Sequence, residues 1–146
     1  MKTRETILAA IKLGKGSQCL DGRDLSRLAN FFPVSDWETM GLKLAEGAKA
    51  EDVKTVEFTE ENVRAQLKKD VDFGFEKAIN QRGISSGLMY EVVKMWMWVL
   101  DDELQNFSDD NYAQYGLPLF KAVAVKYGFE NPIGDKNGDE EEFASS

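Results

Sequence analysis

The sequence predicts an all-α fold: a single compact bundle of about six helices, with an acidic, disordered tail at its C-terminus. Three observations carry that expectation. Apolar residues recur at helical spacing along most of the chain. Capping residues such as Thr3, Ser35 and Thr59 stand before those segments, and glycines such as Gly14, Gly47, Gly83 and Gly128 stand after them. The last stretch, GDKNGDEEEFASS, is instead polar and acidic, with no apolar period. With 146 residues, 42% apolar and 30% charged, the chain has the size and composition of one domain. Residues 1–130 are assigned to the helical domain and 131–146 to the tail.

The elements follow in order. Thr3 is placed as the cap of a first helix whose apolar side carries Ile7, Leu8, Ile11 and Leu13, with Gly14 and Gly16 as its stop. Asp21 or Asp24 starts a second, with Leu25, Leu28, Ala29 and Phe32 at helical spacing, ending before Pro33. Ser35 is expected to cap a third, bearing Trp37, Met40 and Leu44 and ending at Gly47. Val53–Phe58 alternates weakly and reads as a short strand or an extended linker. Thr59, followed by Glu60 and Glu61, opens the clearest helix in the chain, because acids favour the first helical turn. That helix runs to about Arg82, with Val63, Leu67, Val71, Phe75, Ala78 and Ile79 along one side. Ser85 or Ser86 caps the next. Ser108 or Asp109 caps a short helix around Tyr112, and Pro118 sits in the first turn of a last helix ending near Gly128.

The helix after Ser86 contains the run EVVKMWMWVLDDEL, Glu91 to Leu104. On a wheel turning about 100° per residue, its apolar residues, Trp96 among them, fill an arc of about 200°, with Tyr90 at the edge. So wide an arc places the helix centrally in a bundle. The polar residues Glu91, Lys94, Asp101, Asp102 and Gln105 gather on the remaining side, and Trp98 falls in their midst. Trp96 therefore reads as core. Trp98 has two readings: another segment, such as 108–128, covers it, or it is an anchor for a partner, the role in which tryptophan is most enriched at interfaces. Lys94, one turn before Trp98, is placed to make a cation–π contact with it.

Composition narrows the chemistry. The chain has no histidine, which removes Ser-His and Cys-His nucleophile activation and imidazole-bound zinc. Its one cysteine, Cys19, reads as a small buried hydrophobe. Gly14-Lys15-Gly16-Ser17 is too short for a phosphate loop. Asp101, Asp102 and Glu103, with Asp109 and Asp110, suggest a hard-cation site, but acids at 109 and 110 are equally what a helix start requires. The tail segment Asp135–Asp139 departs from a calcium loop in the position of its glycine. No catalytic, metal or cofactor residues are assigned. No secretory signal is expected from the first residues, and no apolar run approaches membrane-spanning length, so a cytoplasmic location is expected.

The net charge of −8 is unevenly spread. Residues 1–28 hold six basic and three acidic groups, residues 29–62 three and eight, residues 63–100 six and four, and residues 101–146 three and eleven. The basic start invites a DNA-binding regulator, with segments 22–32 and 35–46 as a helix-turn-helix. Asp36 and Glu38 at the end that would meet DNA oppose it. The first expectation is instead a non-enzymatic protein-binding module, an inhibitor or adaptor of phage type. Its acidic C-terminal third would mimic nucleic-acid charge toward a partner with a basic surface. The partner-binding candidates are Trp98, Lys94, Glu91, Asp101, Asp102 and Phe143. A DNA-binding regulator is the second reading, and a carboxylate- or Mg²⁺-dependent enzyme the third.

Overall fold

Helix dominates the computed structural model, which describes residues 1–13, 22–81, 87–101 and 112–129 and contains no strand among them. Five α-helices follow in order: α1 (Arg4–Leu13), α2 (Gly22–Leu28), α3 (Glu60–Gln81), α4 (Gly87–Val99) and α5 (Tyr112–Tyr127). Short 3₁₀ turns lie at Ala29–Phe31, Val34–Asp36 and Ala50–Asp52. None of the helices in the described residues is long and apolar enough to cross a membrane. Cys19, Gly83, Ser85, Ser86, Ser108, Asp109, Asp110 and the tail from residue 131 lie outside the described residues.

Two compact units divide the chain: Met1–Ala65 with Lys94–Glu103, and Gln66–Val93 with Leu104–Ser146. In the first, Thr3 caps α1 as expected: its Oγ1 accepts a hydrogen bond from the Thr6 amide at 3.1 Å. Ile7 is fully buried, whereas Leu13, expected on the apolar side, is 69% exposed. α2 and the 3₁₀ turn after it bury Leu25, Leu28, Ala29, Phe31 and Phe32. Phe31 meets the Trp96 ring edge-on at 5.6 Å and the Phe58 ring at 5.8 Å. Residues 53–59 form an extended linker rather than a strand, tethered where the Val56 amide donates to the Asn30 carbonyl at 2.7 Å.

The helix expected from Ser35 to Gly47 is not formed. Ser35 lies inside the Val34–Asp36 turn, which makes no side-chain cap bond. The chain then leaves helical geometry at Gly41, whose φ is +77°. There the Gly41 amide donates to the Glu38 carbonyl at 3.0 Å and the Leu42 amide to the Trp37 carbonyl at 2.9 Å. This paired closure ends a helical turn on a left-handed glycine. The first available glycine, not Gly47, took that position. No second helix remains for a helix-turn-helix in this segment.

α3 begins where Thr59 predicts: its Oγ1 accepts from the Asn62 amide at 3.1 Å. Val63, in the first unit, and Leu67, Val71, Phe75 and Ala78, in the second, are buried, as the spacing requires, whereas Ile79, expected on the same side, is only half-buried. In the second unit the Phe75 and Phe120 rings lie 6.2 Å apart. Gly74 permits a closer approach, since a Cβ there would sit 2.5 Å from Cζ of Phe120. α5 corrects the expectation of two helices near its start. It runs unbroken from Tyr112 with Pro118 inside it, although proline cannot donate the backbone bond of a helix interior. It ends on Gly128, as the sequence predicts.

Candidate functional site

The site lies in the first unit, where the end of α4 meets the residues that precede α1. Of α4, Met95, Trp96, Met97 and Val99 are at most 1% exposed in this unit, so the helix is apolar on most sides. Trp98 is half-buried, and so are Lys94 and Glu91 on the same strip of the helix. The helix stops at Asp101, which has a left-handed φ of +66° and is the one non-glycine with such a φ among the described residues. Aspartate tolerates that conformation better than most residues because its short side chain bonds locally.

A helix end leaves carbonyls without partners; here the Leu100 and Asp101 amides donate to the Trp96 and Trp98 carbonyls at 3.0 Å, and Lys2 adds further donors. Its backbone amide donates to the Val99 carbonyl at 2.8 Å. Its ammonium donates to the Trp98 carbonyl at 2.6 Å and to Asp101 Oδ1 at 2.7 Å. The same Nζ stands 4.6 Å from the centroid of the Trp98 ring. The Met1 amino group lies 3.1 Å from Asp101 Oδ2. These positive groups sit where the helix dipole is negative, which favours them. The Lys2 hydrogen bond, with a second from the Met1 amino group, holds the Asp101 carboxyl below its ordinary value of 3.8. Asp101 nevertheless remains 52% exposed, so the cluster faces water.

Beside this corner an open cleft of about 280 Å³ is lined by Met1, Lys2, Thr3, Arg4, Glu5 and Phe58. The Arg4 guanidinium lies over the Phe58 ring at 5.8 Å. Phe58 is backed by Phe31 and, at 6.0 Å, by Phe32, so a line of aromatic rings runs from buried Trp96 to the cleft. Such packing fixes the floor of the cleft.

Of the residues singled out from the sequence, the structure brings Trp98 and Asp101 together. Lys94 precedes Trp98 by one turn, and Glu91 precedes Lys94 by nearly one. Asp102 and Phe143 lie outside the described residues. Lys2, Arg4 and Phe58 were not singled out. Their only signal was a basic residue either side of a capping Thr3, and nothing local joins position 2 to position 98. Among the described residues no three acidic or cysteine side chains gather as a metal site would require. In comparisons with known proteins, no family model matches the chain, and no curated protein or solved structure shows significant similarity to it.

Proposed function

We propose that this protein is a non-enzymatic protein-binding module, an inhibitor or adaptor, that engages a partner with a basic surface through the corner at the end of α4. The observation that carries the reading is Trp98: a large aromatic, half-buried, set beside an exposed carboxylate at Asp101. Tryptophan is among the residues most enriched at interface hot spots, and a partner can complete the burial of this one. The net charge of −8, concentrated in the C-terminal third, supports the choice of a basic partner and of charge mimicry toward a nucleic-acid-binding groove. A phage-encoded inhibitor is the setting that such chemistry suits best.

The test compares the full chain with its Trp98→Ala variant as bait in extract of the cells that make it. A basic protein should be retained by the first, with its affinity for the variant lower by about 30-fold, the equivalent of about 2 kcal/mol. Equal retention by both baits would refute the reading. So would retention of a random DNA duplex at ~50 mM salt and micromolar protein, which is the mark of a nucleic-acid binder.

A further inference from the structure

We infer that the Trp98 ring, the Trp98 carbonyl and the Asp101 carboxylate form a socket for a lysine ammonium of a partner protein, and that Lys2 of this chain fills it in the free protein. The inference rests on the proposed partner-binding role of this corner and names the group recognised there. Lys2 Nζ meets three acceptors of different kinds: a carboxylate oxygen at 2.7 Å, a carbonyl oxygen at 2.6 Å and an aromatic face at 4.6 Å. An ammonium has three N–H donors and a compact charge, which suits converging acceptors. A guanidinium is a flat fork that seeks both oxygens of a carboxylate. Asp101 Oδ2 already faces the Met1 amino group at 3.1 Å, so the second prong would meet a like charge there. The socket therefore selects lysine over arginine.

Closing the helix does not require the Lys2 side chain. The Lys2 backbone amide already satisfies the Val99 carbonyl, and the Asp101 amide donates to the Trp98 carbonyl at 3.0 Å. The ammonium is added to an end that local bonds have already closed. Asp101 remains 52% exposed, so an incoming side chain can reach it from solvent. A tethered ligand competes at an effective concentration on the order of millimolar. Lys2 thus acts as an internal occupant that a partner lysine must displace.

The experiment titrates the full chain with a tetralysine peptide and, separately, a tetra-arginine peptide. The readout is the indole N–H resonance of Trp98, separated from those of Trp37 and Trp96 by its loss in a Trp98→Phe variant. Lys2→Met keeps the backbone amide and an apolar stem, and removes the charge. It should bind tetralysine at least ~10-fold more tightly than the wild type does, and more tightly than it binds tetra-arginine. Asp101→Asn in the same background should abolish the gain. Thermal melting verifies that each variant is folded, and Lys2→Gln replaces Lys2→Met if the latter is not. Equal affinity with and without the Lys2 side chain would overturn the socket. So would tetralysine binding that survives Asp101→Asn, since that is diffuse attraction to an acidic chain. A protein partner retained through Trp98 but indifferent to Asp101→Asn would overturn the socket and leave the protein-binding reading standing.

Discussion

α5 and α4 both end on a left-handed residue, but of different kinds and with different partners. At the end of α5 the closure is local: the Gly128 amide donates to the Val125 carbonyl at 3.3 Å and the Phe129 amide to the Ala124 carbonyl at 2.8 Å. Gly128, at φ +72°, makes the reversal without steric cost. At the end of α4 an aspartate holds the left-handed position; its amide makes a like local bond to the Trp98 carbonyl at 3.0 Å, but the Val99 carbonyl is met by the Lys2 amide, remote in sequence, and the Lys2 ammonium is added on top. The first arrangement uses the residue best suited to stopping a helix. The second gives up that ease and gains an exposed carboxylate with a cation seated on it. When a helix end departs from the cheapest local solution, the departure is where function is to be sought.

The largest expected effect tests whether the polar corner sits on a packed helix. Trp96 is fully buried, so Trp96→Ala should cost about 3–5 kcal/mol in denaturant unfolding. Trp98→Ala should cost clearly less, about 1–2 kcal/mol, because Trp98 is only half-buried. Similar large losses would make Trp98 structural and remove the contrast within α4.

In the second unit, Gly74→Ala should cost roughly 1–2 kcal/mol. The added methyl meets the buried Phe120 ring at 2.5 Å, and the strain outweighs the better helix propensity of alanine. A rise in melting temperature would show that Phe120 yields easily and that α5 is not held by that contact.

The two helix ends can be compared directly. Gly128→Ala forces a Cβ into the left-handed region and should cost roughly 1–2 kcal/mol. Asp101→Gly relieves backbone strain while losing exposed ion pairs, so the net change should stay within about 0.5 kcal/mol. Calorimetry of both variants measures the difference. An Asp101→Gly loss as large as that of Gly128→Ala would mean the Lys2 cluster is a main support of the fold.

The starts of α1 and α3 were legible in the sequence because a threonine cap acts over three residues, and the chain alone shows both partners. The buried side of α4 was legible for the same kind of reason: Trp96 and Trp98 are separated by helix geometry alone. Elsewhere local signals competed. Gly47 reads as the stop after Ser35, yet the chain leaves helical geometry earlier, at Gly41, and nothing local ranks one glycine above another. Pro118 reads as a helix start, yet α5 continues through it. The role of Gly74 has no local sign either, because its reason is Phe120, which lies far along the chain. Helix spacing points to Lys94, one turn away, as a cation for Trp98, but it gives no hint of Lys2, which stands over the ring at 4.6 Å. A contact across nearly a hundred residues leaves no periodic trace. Trp98 and Asp101 could be nominated as a site, but not the residue that occupies it.

The smallest effect concerns pH. The Asp101 carboxyl is held below its ordinary 3.8 in the folded chain, chiefly by the Lys2 hydrogen bond. Its contribution to stability is therefore complete above the unfolded value, at about pH 5 and higher, and is lost as pH falls through the folded value. Because Asp101 is half exposed, the contribution should be under about 0.5 kcal/mol and should shrink with added salt. Stability of the wild type relative to Asp101→Asn, followed from pH 6 downward, should show the gap closing below about pH 4. A gap that widened on acidification would reverse the sign of the pairing.

The central claim is that the Lys2 ammonium is seated on Asp101 at the end of α4. Carbon-13 NMR titration of the Asp101 carboxyl tests it most directly, in the wild type and in Lys2→Met. The wild-type midpoint should lie below 3.8 and should rise toward that value when the ammonium is removed. A midpoint that Lys2→Met leaves unmoved would contradict the account.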